Sequence, residues 1–296
     1  MPTVSVIIPT YNRAWAIREA LDSILAQDYH DFEIVVVDDG STDNTQQILE
    51  SYQTVCVVRQ DHLGVSAARN AGIVRAAGGF IAFLDSDDLW LPGKLSAQVG
   101  FFHSNPDALI CQTEEIWIKN GVRINAKKRH KKYSGMIFER CLELCIVSPS
   151  AVMMKRCLFD EIGAFDETLP VCEDYDLWLR VSCRFPVSLI RAPLVIKRGG
   201  HPDQLSQRRC MDRFRIHALT KILESNQLNP RQYWAAHAAL KKKCTIYAAG
   251  CLKRGRVQEA NRYMQLSRRS TNQAELSIPL CLMPRALTNK VSGKIK

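Results

Sequence analysis

The amino-acid sequence predicts an α/β fold, a mostly parallel sheet with flanking helices, continued by a basic helical C-terminal extension. Three observations carry this expectation. Four apolar runs within the first 85 residues alternate with segments of helical period, the β-α-β-α-β-α-β order of a doubly wound sheet. Acidic clusters, Asp38-Asp39 and Asp85-Ser86-Asp87-Asp88, stand where two of those runs end. Open α/β sheets bind their ligands at the carboxyl ends of strands. Finally, charge divides the chain. Residues 1–181 carry 17 Lys and Arg against 25 Asp and Glu, net −8; residues 182–296 carry 23 against 5, net +18, which together give the +10 of the whole.

Bulk composition fits a globular protein. The chain has 296 residues, 46% hydrophobic and 24% charged, enough for a large core. No apolar stretch approaches the roughly 20 residues of a membrane span. Met1-Pro-Thr-Val-Ser-Val6 runs directly into a strand pattern, so no signal peptide is expected. The eleven cysteines show no CxxC pair, and Cys141 and Cys145 are four apart. That pattern points to reduced thiols in a cytoplasmic protein, with no zinc-ligand spacing.

Taken in order, Val4–Ile8 reads as a first strand closed by Pro9, which cannot donate to a ladder. Asn12 then reads as an N-cap for a helix packing Ile17, Leu21, Ile24 and Leu25 on one face. Phe32–Val37 is a second strand, apolar nearly throughout as in sheets covered on both faces. Asp38–Asp43 makes a tight turn through Gly40, with Ser41 or Thr42 capping a helix to about Tyr52. Val55–Val58 is a third strand. Gly64–Gly72 opens an Ala-rich helix expected to stop at a C′ glycine, Gly78-Gly79. Phe80–Leu84 is the fourth strand. It ends in three carboxylates within four residues, oxygen ligands suited to a hard divalent cation and hence to a phosphate-bearing substrate.

Further on, a helix from Leu91 ends near Asn105-Pro106, and Leu109–Lys119 is a strand region followed by an Asn120-Gly121 turn. Lys127–Lys132 reads as a solvated basic loop, with a flap over phosphates as the alternative. Val147–Met154 is a short strand, Phe165–Pro170 a loop, and Cys172–Val181 a helix packing Leu177, Trp178 and Val181. After Leu194–Ile196, a strand, Lys197–Pro202 reads as a turn-rich basic loop, and Met211–Leu223 as a helix. Residues 232–267 read as a helical hairpin broken near Lys253–Arg256, with small residues Ala236, Ala239, Ala248, Gly250 and Ala260 at close-packing spacings. One such pair is similar to a single tetratricopeptide unit, but one copy makes no array. The tail from Ile278 has little periodicity and is expected to be loosely ordered or surface-associating.

The N-terminal third resembles the inverting family 2 glycosyltransferases with the GT-A fold. The resemblance rests on Val4-Ser-Val-Ile-Ile-Pro-Thr-Tyr-Asn12, Val35-Val-Val-Asp-Asp-Gly-Ser-Thr-Asp43, Gly64-Val-Ser-Ala-Ala-Arg-Asn-Ala-Gly72 and Phe83-Leu-Asp-Ser-Asp-Asp88, with Glu173-Asp174 downstream. It covers roughly residues 1–200 and gives a domain of 1–204, a donor-binding half (1–105) and an acceptor-side half (106–204), before a basic helical region (205–296). The resemblance implies a metal-dependent inverting transfer of a sugar from a nucleotide-diphosphate donor, typically a UDP-sugar. The hydroxyl acceptor would be a saccharide or lipid-linked glycan, in polysaccharide, lipopolysaccharide or other glycoconjugate synthesis. By the same resemblance Asp39 would read the nucleobase, with Pro9 and Tyr11 in that pocket, and Arg69 would lie near ribose or phosphates. Asp85-Ser86-Asp87 would be the DxD motif, Asp87 holding Mg²⁺ or Mn²⁺ and Asp85 contacting ribose or the metal's water. Asp174 would be the base, and His201 would stand near the metal or diphosphate.

Blander readings stand beside these. Asp38 is equally a turn residue, Arg69 a surface ion-pair former, Asp174 a carboxylate favoured by a helix dipole, and Trp90 and Trp178 packing residues. A sugar nucleotidyltransferase is the second enzyme reading, but Pro-Thr-Tyr-Asn replaces the glycine-rich basic loop it needs after the first strand. A dinucleotide oxidoreductase lacks its GxGxxG. The basic C-terminal part suggests a third reading, an anionic-surface binder. Its cations lack regularly spaced aromatics, so contact with an acidic membrane surface or anionic acceptor is expected in place of nucleic acid.

Overall fold

The computed structural model describes residues 1–205 and 210–277, with side chains to residue 268. The chain divides into two compact units, Met1–Arg209 and Cys210–Lys296. In the first unit β1 (Val4–Thr10), β2 (Phe32–Asp38), β3 (Val55–Arg59) and β4 (Phe80–Phe83) are parallel, in spatial order β3-β2-β1-β4. α1 (Ile17–Leu25), α2 (Thr45–Glu50) and α3 (Val65–Arg75) make the crossovers. β1 and the end of β2 are buried throughout because helices cover both faces. Ile17, Leu21 and Ile24 of α1 are fully buried with Val6, Ile8 and Val36 in one core cluster, each worth roughly 1.5–3 kcal/mol of burial.

The second half adds antiparallel strands to this parallel core. β5 (Leu89–Trp90) and α4 (Lys94–Ser104) lead to a hairpin of β6 (Ile110–Lys119) and β7 (Val122–Ile124). Its turn residues Asn120 and Gly121 have φ of 50° and 77°, the paired positive values that a tight right-twisted hairpin requires. α5 (Phe138–Cys141), β8 (Val152–Lys155), α6 (Leu158–Ile162), α7 (Glu173–Ser182) and β9 (Ser188–Gly199) follow. The sheet, nine strands among the described residues, runs β3-β2-β1-β4-β8-β6-β9-β5, with β7 on β6. β8 is antiparallel to β4 and to β6, β9 is parallel to β6, and β5 is antiparallel to β9. Only a βαβ crossover forces parallel neighbours. β4 instead runs into the acidic loop, so the strand beside it arrives from far along the chain and in the opposite sense.

Several local expectations are corrected. β1 continues through Pro9 to Thr10, because its ladder with β4 has ended at Ile7 while pairing with β2 runs on. Asn12 does not cap α1; its Oδ1 accepts from the Thr42 and Asp43 amides (2.8 and 3.3 Å), pinning the β2–α2 loop. Neither Ser41 nor Thr42 caps α2, which begins at Thr45, where Asp43 Oδ1 accepts the Thr45 amide at 3.0 Å. Leu25 is exposed at the edge of its helix. α3 ends at Arg75, and Gly78 serves close approach instead: a Cβ there would lie 2.6 Å from the Ser5 nitrogen. Lys197, Arg198 and Gly199 belong to β9, not to a loop, and Lys132 is buried against Glu115 in place of the solvated position expected for its run. Trp90 and Trp178 are both core residues.

The second unit consists, among the described residues, of α8 (Asp212–Glu224), α9 (Pro230–Leu252) and α10 (Val257–Ser277). α9 starts at a full capping box, Asn229 and Gln232 exchanging side-chain and backbone hydrogen bonds, worth about 1 kcal/mol. Ala236, Leu240, Cys244, Tyr247, Ala248 and Cys251 line its buried stripe. Of the small residues singled out by spacing, Ala236, Ala248 and Ala260 are buried, whereas Ala239 and Gly250 are half-buried. The tail from Ile278 lies outside the described residues. No described helix is long and apolar enough to cross a membrane, and all ten described cysteines are free.

Candidate active site

The carboxyl ends of β1, β2 and β4 gather the side chains that the sequence singled out. Asp38 is the last residue of β2, and its Oδ1 accepts the Ser41 amide of the following turn at 3.0 Å. Asp39 is buried, and both oxygens of its carboxylate have partners. Oδ1 accepts from Gln60 Nε2 (2.7 Å) and the Leu63 amide (2.9 Å), while Oδ2 accepts the Gly64 amide (2.9 Å) and lies 2.9 Å from His62 Nδ1. Beside it the exposed Tyr11 ring stacks on His62, centroids 3.9 Å apart, and Pro9 is buried in β1 below.

The loop after β4 is built on different terms. Asp85 accepts from Arg69 Nη2 at 2.7 Å. Asp87 Oδ2 lies 2.6 Å from His201 Nε2, and His201 Nδ1 lies 2.6 Å from Asp203, which also pairs with Arg13. Burial and the neighbouring Asp85 push the Asp87 carboxyl above its usual range, against the pull of His201 and Arg13. Asp88 is buried beneath the loop, accepting from Ser150 Oγ (2.7 Å) and the Arg198 amide (2.9 Å). Burial raises its carboxyl to about 8 despite Lys197. Arg198 ties the loop down from outside, donating to the Asp87 carbonyl and to Glu19.

Facing this loop is the first turn of α7. Cys172, the residue before it, is held at φ 65°, a left-handed conformation that is unfavourable by about 1–2 kcal/mol for a side chain with a Cβ. That bend presents Glu173 and Asp174. Arg69, buried in α3, joins the two acidic segments with one guanidinium: Nη1 to Glu173 at 2.6 Å and Nη2 to Asp85 at 2.7 Å. Burial alone would lower the guanidinium's pKa, but Asp85 and Glu173 hold it well above its ordinary value. Burial and Asp174 raise Glu173 to about 7 against the pull of Arg69. Asp174 is half-buried; its Oδ1 accepts the Tyr175 amide (2.7 Å) and its Oδ2 accepts from Cys145 Sγ (3.2 Å).

Sequence reasoning missed the groups behind this face. Lys197 Nζ donates to Ser148 Oγ at 3.1 Å, and the carboxylates of Glu115, Asp88, Asp85 and Asp174 outweigh its burial and hold its ammonium above the ordinary range. Glu115 pairs with buried Lys132 at 3.0 Å; burial would raise it, but Lys132 and Lys197 bring it down to about 2. Glu115 sits at a register shift between β6 and β9, where a bulge re-aims side chains. The available signal was weak: Lys197 and Lys132 sit inside basic runs that read equally as solvated.

Among the described residues no three His, Cys, Asp or Glu side chains form a preformed metal cage. The donor chemistry nonetheless fits Mg²⁺ or Mn²⁺. Mg²⁺ binds through one or two carboxylates and takes its remaining ligands from substrate phosphates and water. Asp87 is a crowded carboxyl that a cation would relieve, and His201 touches it.

Comparison with known proteins identifies the family and the fold. A family model described as glycosyl transferase family 2 matches residues 5–163. An uncharacterized glycosyltransferase of Rickettsia prowazekii is 34% identical over 185 residues, 60% of this chain and 58% of that protein. The match to a Rickettsia typhi relative covers 60% of that protein, so the chain spans less than two thirds of either. The Escherichia coli UDP-Glc:alpha-D-GlcNAc-diphosphoundecaprenol beta-1,3-glucosyltransferase WfgD is 33% identical over 181 residues, 60% of this chain and 69% of that one. Among solved structures, S. aureus TarS 1–349 in complex with UDP-GlcNAc superposes with a TM-score of 0.71 at 21% identity, covering 95% of this chain and 83% of that one. The mannosyltransferase PcManGT of Pyrobaculum calidifontis, in complex with GDP-Man and Mn²⁺, gives 0.57 at 19%, covering 99% and 80%. At these identities the structural likeness is one of fold.

Proposed function

The chain belongs to glycosyl transferase family 2 and has its GT-A fold, and from that premise we propose that it transfers a sugar from a nucleoside-diphosphate donor, a UDP-sugar, to a hydroxyl acceptor. The acceptor is a saccharide or lipid-linked glycan in cell-envelope glycoconjugate synthesis; the name of WfgD gives that relative a lipid-linked acceptor, alpha-D-GlcNAc-diphosphoundecaprenol. The carrying observation is the pairing of two acidic segments, Asp85–Asp88 and Glu173-Asp174, through one buried guanidinium, that of Arg69. A donor diphosphate fits at the first and an acceptor hydroxyl at the second.

In this reading Asp39, Tyr11 and Pro9 form the nucleobase end, and Arg69 and Asp85 the ribose and phosphate end. Asp87 and His201 would hold Mg²⁺ or Mn²⁺. The cation, when bound, supplies charge neutralisation for the departing diphosphate. Asp174 takes the proton of the acceptor hydroxyl. As that proton leaves, the acceptor oxygen forms a bond to the anomeric carbon. The bond from that carbon to the diphosphate breaks, and its electron pair goes with the nucleotide. Attack on the side opposite the leaving group inverts the carbon. Cys145 and the Tyr175 amide each occupy a lone pair of Asp174 and so fix its plane. The protein acts in the cytoplasm, at the inner face of an anionic membrane.

Calorimetric titration with UDP and Mn²⁺ tests this reading. UDP binding that depends on Mn²⁺ and is lost in Asp87→Ala is expected; no binding of UDP, GDP or dTDP in the wild type would sink it.

A further inference from the structure

The second unit carries a groove that the transfer reaction does not use. It has a volume of about 350 Å³ and runs between α8 and α10, with Arg213, Ile216 and His217 on one wall and Arg262, Tyr263 and Leu266 on the other. The lining follows from helical spacing: 213, 216, 217 and 220 share one face of α8, and 262, 265 and 266 share one face of α10. Ile216 is buried at the base, while Arg213, His217 and Arg262 are exposed.

The groove is cationic, with the charge of Glu259 acting on Arg213 from outside its lining. No carboxylate lines it, and neither Arg213 nor Arg262 has an ion-pair partner among the described residues. The nearby acids are engaged elsewhere: Asp212 with Arg215 at 3.1 Å, and Glu259 with Arg256 at 3.0 Å and the Tyr247 hydroxyl at 2.7 Å. Two guanidinium groups line this one concavity, that of Arg213 resting 4.4 Å from the centre of the Phe214 ring, and guanidinium forks are suited to bidentate phosphate recognition. A volume of this size lies at the lower end of small-ligand sites.

A second observation points to where that phosphate comes from. Arg256, just before α10, reaches Cys210 near the start of α8, so both helices begin at the end where α9 turns into α10. On that turn Leu252 and Val257 are exposed, each 53%, and they flank Lys253, Arg254 and Arg256. Exposed apolar side chains bracketed by cations at the rim of an anion groove match a bilayer interface, where the apolar groups enter and the cations meet headgroups.

We propose that the α8–α10 groove binds the terminal phosphate of an anionic lipid headgroup, with Arg213 and Arg262 as its two forks and Leu252 and Val257 entering the bilayer beside it. The assignment rests on the membrane contact proposed above but not on the transfer reaction. It distinguishes a monoester phosphate, which offers three oxygens to two forks, from a phosphodiester, which offers two.

Vesicle co-sedimentation of the full chain tests it, using phosphatidylcholine alone or with phosphatidic acid or phosphatidylglycerol. The wild type is expected to prefer phosphatidic acid over phosphatidylglycerol by about three-fold or more. Arg213→Ala with Arg262→Ala should lose roughly ten-fold in binding to phosphatidic acid. Lys241→Ala with Arg268→Ala removes the same charge outside the groove lining and should lose no more than about two-fold. Arg213→Lys with Arg262→Lys keeps charge and helix propensity but not the forks; an intermediate loss is expected, and it guards against misfolding of the alanine pair. Equal losses in the two alanine pairs, or no vesicle binding by the wild type, would overturn the proposal. So would thermal stabilisation by inorganic pyrophosphate without vesicle recruitment, which assigns the groove to a free phosphate. Asp174→Asn should retain full vesicle binding while losing transfer, so the two readings fail separately.

Discussion

The two ends of the candidate site treat their carboxylates in opposite ways. At the nucleobase end Asp39 meets two backbone amides, an amide side chain and an imidazole within the protein. At the acidic end Asp85, Asp87 and Asp88 crowd one loop, and burial together with mutual repulsion raises Asp87 and Asp88. One end is satisfied within the protein; at the other, burial and crowding oppose the ionisation of Asp87 and Asp88. Electrostatic strain of that kind marks sites that await a partner of opposite sign.

The largest effect expected is on catalysis at the acidic end. Asp174→Asn should lower kcat by about 10²–10⁴-fold in steady-state assays, leaving Mn²⁺-dependent UDP affinity within about two-fold. Full activity in this variant would move the base elsewhere. Next comes the buried cation that joins the acidic segments. Arg69→Met leaves Asp85 and Glu173 without their shared partner and should cost about 3–5 kcal/mol in chemical denaturation.

The comparison itself is tested by a pair. Asp39→Asn turns an amide group toward donors and should destabilise by about 2 kcal/mol. Asp87→Asn removes a crowded charge and should leave the melting temperature unchanged or raised, while abolishing metal-dependent nucleotide binding. Equal destabilisation in both would break the contrast.

The smallest effect concerns a buried cation with no counter-charge. Lys94 is fully buried, its Nζ 2.6 Å from Gln98 Oε1 and 3.8 Å from the Trp90 ring centre, and burial lowers its pKa to about 7. Between about pH 7 and 10 the unfolded chain then binds a proton that the native state does not, so stability rises with pH across that window. Relative to Lys94→Met, the wild type should lose roughly 2 kcal/mol between pH 9 and pH 6.5, measured by denaturant unfolding at each pH. A pH-independent difference would show that Lys94 is ionised in the core. Lys197, by contrast, sits among four carboxylates and is held above its ordinary range.

The first four strands and their helices were legible because each is a local pattern: an apolar run, a turn residue, a helical period. Asp39, Arg69, Asp85, Asp87 and Asp174 were legible because they stand in short motifs at strand and helix ends. Lys197, Glu115 and Lys132 were not, since their meeting depends on β6 pairing with β9 through a register shift. Asn12 shows the same limit on a smaller scale. Its type suits a cap, but which helix end or loop it serves depends on a neighbour thirty residues away.

By itself the sequence determined the parallel half of the sheet, the positions of the acidic clusters and the break in charge, because propensity, periodicity and composition act over a few residues. The tertiary structure alone decided that the second half of the sheet is mixed, that Arg69 bridges Asp85 and Glu173, and that the cations of α8 and α10 share a groove. Strand direction beside β4, ion pairing and burial are properties of residues far apart in the chain, and they take effect only once the chain has closed on itself.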